Sequence, residues 1–154
     1  MNAAPRLTFD SNILIYAADR DAGHRHDQAR ALIARAASAD CVLSIQALAE
    51  FFAVATRKTN VPVAGAIAFV EGWAAMFRNV SATPTSLAAA MVAVRDHQIG
   101  FWDAMLWAVA REAGCRYVLS EDFQSGRTLG GVTFVNPFAP QGLPAALERA
   151  LPRD

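Results

Sequence analysis

The sequence predicts a three-layer α/β sandwich with a mainly parallel central sheet. Three observations support it. Short β-prone runs alternate with longer helical patterns, the order that builds βα units. Of the 154 residues, 54% are hydrophobic and only 18% are charged; a sheet covered on both faces needs no alternation of polar and apolar residues. One helical stretch, 102–113, is apolar nearly all round, as expected of a deeply buried helix.

In chain order, residues 7–9 form a first strand that ends at Asp10, and a short helix follows to about residue 18. Ser11 and Asn12 are good helix-capping residues at that junction. A polar, glycine-bearing break at 19–23 precedes a helix over 26–37 with Ala29, Leu32, Ile33 and Ala36 on one face. Residues 41–44 read as the second strand and 46–56 as an apolar helix whose only acid is Glu50. Residues 57–60 read as a basic loop, and Pro62 opens a helix over 63–77. Residues 79–82 give a short third strand. Thr83 to Ser86, with Pro84, start a helix that runs to His97. After the break at 98–100, a helix over 101–113 is closed by Gly114. Residues 117–120 are the fourth strand, 121–127 a polar loop, Gly130-Gly131 a turn and 132–135 the fifth strand. One domain is expected over 1–138. Residues 139–154 read as a tail with a short helix at 145–151, not a separate domain.

The formal net charge is zero, which excludes a general polyanion binder held by bulk charge. Cys41 and Cys115 lie in apolar company without metal-ligand spacing and read as buried thiols in a reducing compartment. Residues 1–6 lack an apolar signal core, and no apolar run is long enough to span a bilayer. A soluble cytoplasmic protein is expected, with no membrane contact.

In right-handed βα units, strand C-termini and helix N-termini share one edge of the sheet, where sites are built. Asp10 ends the first strand, Glu50 lies just past the first turn of the helix after the second, Asp103 opens the apolar helix, and Asp122 follows the fourth strand. Each has an ordinary reading as a turn former, cap or solvated residue. Together, four carboxylates on one edge repel, so raised pKa values are expected and a proton or cation must neutralise them. Oxygen donors without His or Cys favour Mg²⁺, with Mn²⁺ as a substitute. Such a site suits phosphodiester hydrolysis by an activated water. Ser11 and Ser120 are placed to hold carboxylates by hydrogen bonds, and Asn12 to orient Asp10 or cap the helix.

These residues resemble a known family. Asp10-Ser11-Asn12, the isolated helical Glu50, Trp102-Asp103-Ala104 and Ser120-Glu121-Asp122-Phe123 are similar to the four acidic motifs of PIN-domain ribonucleases. Their spacing and the ending Val135-Asn136-Pro137-Phe138 look most like VapC-type toxins of type II toxin–antitoxin pairs. The resemblance covers residues 7–138. It implies a metal-dependent endoribonuclease, usually dimeric and held inactive by a cognate antitoxin, with Asp10, Glu50, Asp103 and Asp122 at the metal. Asp10 and Asp103 would bind it directly, and Glu50 and Asp122 directly or through water. Glu121 would not take the fourth place. RNA contacts would come from Arg57, Lys58, Arg95 and Arg127, each of which also reads as a solvated charge.

Other readings stay open. His24, His26 and His97 are too few and too far apart for a zinc site. Neither a G-x-S-x-G elbow nor a glycine-rich phosphate loop is present. An aspartyl-phosphate phosphatase or receiver-like protein would want a late lysine, but the only lysine is Lys58. A catalytically silent scaffold of the same fold would tolerate loss of acids, yet all four are present. The high apolar content exceeds what one small core needs: of Phe51, Phe52, Phe69, Trp73, Met76 and Phe77, on two consecutive helices, most are expected in the core and some to line a groove for an antitoxin helix or a second copy.

Overall fold

The computed structural model describes residues 3–153. Its strands are β1 (Arg6–Phe9), β2 (Val42–Ser44), β3 (Arg78–Val80), β4 (Cys115–Leu119), β5 (Thr128–Leu129) and β6 (Val132–Val135). Its helices are α1 (Ser11–Ala18), α2 (His24–Ala36), α3 (Ile45–Lys58), α4 (Val63–Met76), α5 (Pro84–His97), α6 (Phe101–Glu112) and α7 (Ala145–Ala150). Four strands pair in the order β1-β4-β6-β5, and β2 pairs with β3. Every pair is parallel except β5–β6. A parallel bridge from Leu7 to Cys41 joins the two sets. The Thr8 hydroxyl strengthens it by donating to the Val42 carbonyl at 2.6 Å. β1 therefore lies mid-sheet, with β2 on one side and β4 on the other.

The strand pleat explains the three layers. Leu7, Phe9, Leu43, Tyr117, Leu119 and Val135 enter one core with α1 to α4 and α7. Their neighbours Val42, Val118, Val132 and Phe134 enter a second core with α5 and α6. Both faces are covered, so the strands read as continuous apolar runs. Residues 104–110 of α6 are all buried, as its unbroken apolar pattern requires.

Several boundaries differ from the sequence reading. α3 runs on through Arg57 and Lys58, which were read as loop; cations in a last helical turn are favoured by the helix dipole. β5 was not anticipated because it is only two residues long. It forms a hairpin with β6 across Gly130 (φ 53°) and Gly131 (φ 81°), a two-residue turn that requires positive φ at both positions. Gly130 is needed twice over, since a Cβ there would stand 3.1 Å from the Trp107 ring. β3 sits slightly earlier than expected, at Arg78–Val80.

The tail packs onto α2. Leu147 and Leu151 are buried in the first core, and the Arg35 guanidinium donates to Glu148 and to the Leu151 carbonyl, each at 2.8 Å. Both cysteines are buried and free, and burial raises both thiol pKa values. Among the described residues no helix is long and apolar enough to cross a membrane.

Candidate active site

The site grows from the ends of β1 and β4. The Asp10 N–H donates to the Leu119 carbonyl at 2.9 Å, which continues the β1–β4 ladder. The chain then turns into α1, and the Asp10 carboxylate caps that helix by accepting from the Ser11 N–H at 2.7 Å. The Ser120 N–H is pinned in the same way to the Val135 carbonyl at 2.9 Å. Its hydroxyl is a hub: it donates to Asp10 Oδ2 at 2.7 Å and accepts from Asn12 Nδ2 at 3.2 Å and the Asp122 N–H at 3.1 Å. Asp10 and Ser120 are only 5% and 0% exposed. This junction fixes Asp10 from three sides and delivers Asp122 one turn later.

The other acids arrive from the two helical layers. The Ser11 hydroxyl donates to Glu50 Oε2 at 3.2 Å, and Gln46 Nε2 donates to Glu50 Oε1 at 3.0 Å. The same Gln46 nitrogen donates to the Trp102 carbonyl at 3.0 Å, tying α3 to the start of α6. Asp103 sits in the first turn of α6, where the helix dipole favours an acid. Glu50 and Asp103 are half-buried and Asp122 is exposed. The charges of Glu50 and Asp122 act on both Asp10 and Asp103, so the four acids share one field.

Burial is the main cause of the shifts that follow. The Asp10 carboxyl is pushed up to about 6, first by loss of water and then by the charges of Asp122 and Glu50, against the pull of its Ser120 and Ser11 hydrogen bonds. Asp103 is raised by burial, then by Asp122 and Glu50. The sequence led to an expectation of crowding as the cause; crowding contributes, but desolvation ranks first. Among the described residues no arginine or lysine forms an ion pair with any of the four.

Glu121 points elsewhere. It accepts from the Tyr16 hydroxyl at 2.7 Å and pairs with Arg25 Nε at 2.9 Å. Arg25 in turn lies over the Phe138 ring at 4.5 Å. That clamp engages Glu121 and separates it from the adjacent Asp122. Neither Tyr16 nor Arg25 carries a sequence signal for this role, because the contacts join residues about a hundred positions apart. Gln46 was missed too, although its i, i+4 spacing to Glu50 on a helix was a readable signal.

The four basic candidates divide. The α5 N-cap Thr83 bonds to Glu112 at the end of α6, so the two helices run antiparallel and the last turn of α5 lies beside the first turn of α6. Arg95 stands in that last turn, and Arg127 Nη2 donates to the His97 carbonyl there at 3.0 Å. Both are on the acidic edge. Arg57 and Lys58 end α3; Lys58 is eight residues beyond Glu50, about 12 Å along the helix axis.

The PIN domain family model matches residues 7–127. The chain belongs to the PIN domain family. This PIN domain is similar in structure to VapC20 of Mycobacterium tuberculosis, described as a sarcin-ricin loop cleaving toxin, at 19% identity and a TM-score of 0.62, covering 73% of this chain and 86% of that one. It is similar to a toxin–antitoxin complex from Klebsiella pneumoniae at 17% identity and a TM-score of 0.63, covering 86% and 98%. It also resembles DNA-bound VapBC from Salmonella typhimurium at 16% identity and a TM-score of 0.62, covering 84% and 96%. At such identities the likeness is one of fold. No curated protein matches the chain in sequence.

The donor set of this PIN domain fits a hard divalent ion in chemistry, being all oxygen, with no arginine or lysine paired to it among the described residues. Among the described residues no three His, Cys, Asp or Glu side chains form a ready cage.

Proposed function

We propose that this PIN domain is a metal-dependent endoribonuclease that hydrolyses RNA phosphodiester bonds, and the toxin of a toxin–antitoxin pair. One observation carries the reading: a buried Asp10, held by Ser11 and Ser120, shares an edge with Glu50, Asp103 and Asp122, and among the described residues no arginine or lysine pairs with them. Family membership and the likeness to toxin structures support it. Asp10 and Asp103 hold the ion, and Glu50 and Asp122 complete its surroundings directly or through water. Bound there, Mg²⁺ (or Mn²⁺) supplies an activated water and offsets charge on the phosphate oxygens. Ser120 keeps Asp10 and Asp122 in register, and Asn12 holds Ser120. Ser11 and Gln46 orient Glu50. Arg95 and Arg127 receive the RNA backbone at the rim, and Arg57 and Lys58 reach only an RNA extending along α3.

Partners follow the same reading. An apolar groove of about 510 Å³ between α3 and α4, lined by Ile45, Leu48, Phe52, Ile67 and Val70, takes an antitoxin helix. Exposed Leu87, Met91 and Val92 of α5 are the face for a homodimer. The protein works in the cytoplasm. Residues 1–138 form the nuclease unit, and 139–154 brace it through α2. The phosphatase alternative is unsupported, because Lys58 is the only lysine and is exposed at the far end of α3. The test is cleavage of total RNA by purified protein with Mg²⁺, with chelator, and with Asp10→Asn. Cleavage only by the wild type with metal is expected. Cleavage that persists in excess chelator would contradict the metal reading, and no cleavage in any condition would favour a silent scaffold.

A further inference from the structure

We propose that Trp102, backed by Phe101, is a stacking platform for an unpaired RNA base at the rim of the acidic pocket. This deepens the ribonuclease reading and rests on it. Trp102 is 63% exposed and Phe101 39%. The two other tryptophans, Trp73 and Trp107, are 6% and 4% exposed. An indole left in water forgoes the gain of burying it, about 25 cal/mol per Å², so folding alone does not explain its position.

The indole is held ready. Its ring packs edge to face with Phe101, centroids 4.9 Å apart at 67°. Its carbonyl accepts from Gln46, the residue that also holds Glu50. Buried Ile99 and the N-cap Gly100 anchor the turn before it. Asp103 is the next residue, with its Cα about 3.8 Å away. A base stacked on Trp102 therefore lies within reach of a phosphate at the acids.

The charges around the platform select the occupant. Arg95 stands in the last turn of α5, just before the break that leads into α6, and Arg127 is tied to that last turn at the His97 carbonyl. The Arg95–Asp96 pair is exposed and therefore weak, so its guanidinium can turn to a phosphate. Arg127 uses only Nη2 on the His97 carbonyl among the described contacts, leaving donors of its fork for phosphate oxygens. An apolar protein helix laid here would desolvate Arg127 and Asp103 without pairing them. A nucleotide offers a π-face to the indole and a phosphate to the arginines, the combination that single-strand binders use. Bases inside a duplex are already stacked, so the platform favours loops and splayed nucleotides.

The test compares Trp102→Phe, Trp102→Leu and Trp102→Ala, with a short oligouridylate and an RNA duplex of equal length as probes. Binding is read by tryptophan fluorescence on the non-cleaving Asp10→Asn background, and KM and kcat on the otherwise wild-type chain with Mg²⁺. Quenching by oligouridylate but not by duplex is expected, and it should vanish in Trp102→Ala. Trp102→Ala and Trp102→Leu should raise KM by roughly 5- to 150-fold with kcat little changed, while Trp102→Phe keeps most of the affinity. If the wild type cleaves RNA but Trp102→Leu matches it in KM and no quenching is seen, the platform is wrong and the nuclease stands. If quenching occurs as expected but nothing is cleaved in any condition, the nuclease reading fails and the stacking site survives. Shielding of Trp102 from a soluble quencher that grows with protein concentration would mean a second copy covers it, and would overturn the proposal.

Discussion

Glu148 and Asp10 are both carboxylates fixed by hydrogen bonds, yet their surroundings pull them in opposite directions. Glu148 is held by Arg153 and Arg35, and these lower its pKa despite some burial. Asp10 is held by a hydroxyl and a backbone N–H, and burial raises it to about 6. One acid meets its cations within the chain; the other, with Asp122 and Glu50 as acidic neighbours, meets none among the described residues. The difference teaches where the protein is complete in itself. The tail is a closed structural contact. The acidic edge has no such internal partner among the described residues.

Substitution of Asp10 should separate the two regions most. Asp10→Asn should abolish Mg²⁺-dependent cleavage and raise metal-free stability. The folded pKa of Asp10 lies above its unfolded value of 3.8, so its ionisation opposes folding progressively as pH rises from about 4 to about 6. Above that window the penalty is about 3 kcal/mol at most, by ~1.4 kcal/mol per pKa unit. In metal-free melts Asp10→Asn should exceed the wild type at pH 8, and the gap should close near pH 4. A variant less stable than wild type at pH 8 would argue against a buried, unpaired charge.

Ser120→Ala removes three hydrogen bonds that join Asp10, Asn12 and Asp122. Mg²⁺ affinity, measured calorimetrically, should fall about 10- to 100-fold, with fold retained by circular dichroism. Unchanged affinity would mean the hub is structural only.

Arg35→Ala tests the other cluster. It strips hydrogen bonds from Glu148 and the Leu151 carbonyl, and denaturant melts should show a loss of about 1–3 kcal/mol. Cleavage per folded molecule should not change. The pH sign is the reverse of that for Asp10: Glu148 has a depressed folded pKa, so its stabilisation is present at neutral pH and is lost as pH falls through the carboxylate range. An Arg35→Ala protein should therefore lose less stability on acidification than the wild type.

The smallest effect is expected at the clamp beside the pocket. Arg25→Ala breaks a partly exposed pair with Glu121, worth about 0–1 kcal/mol. Cleavage should drop only a few-fold, since Tyr16 still holds Glu121. A loss as large as that of Asp10→Asn would place Glu121 within the working site.

The parts legible in the sequence are those set by local rules. The strand–helix junction at Asp10, the strand end before Asp122, and the first turn of the apolar helix at Asp103 follow from alternation and the handedness of βα units. The two-residue β5 was below what a pattern can show, although the Gly130-Gly131 turn was visible. The polarity of Arg57-Lys58-Thr59-Asn60 suggests a loop, yet the helix dipole keeps Arg57 and Lys58 in the last turn of α3. The partners of the acids were harder. Ser120 was legible because it ends a strand next to Asp122, whereas the Tyr16–Glu121–Arg25–Phe138 clamp depends on how α1, α2 and the segment after β6 pack together. The docking of the tail on Arg35 is of the same kind.

The most direct test of an edge completed by a cation needs no RNA. Thermal melts at pH 8 of the wild type and of Asp10→Asn are followed while Mg²⁺ is titrated into metal-free protein. The wild-type Tm should climb with the logarithm of Mg²⁺ concentration once the site begins to fill, as for any ligand bound only by the folded state. Asp10→Asn should begin higher and stay flat. A wild type that ignores Mg²⁺, or a variant that rises in parallel with it, would contradict the claim that Asp10 and its neighbours await a metal ion.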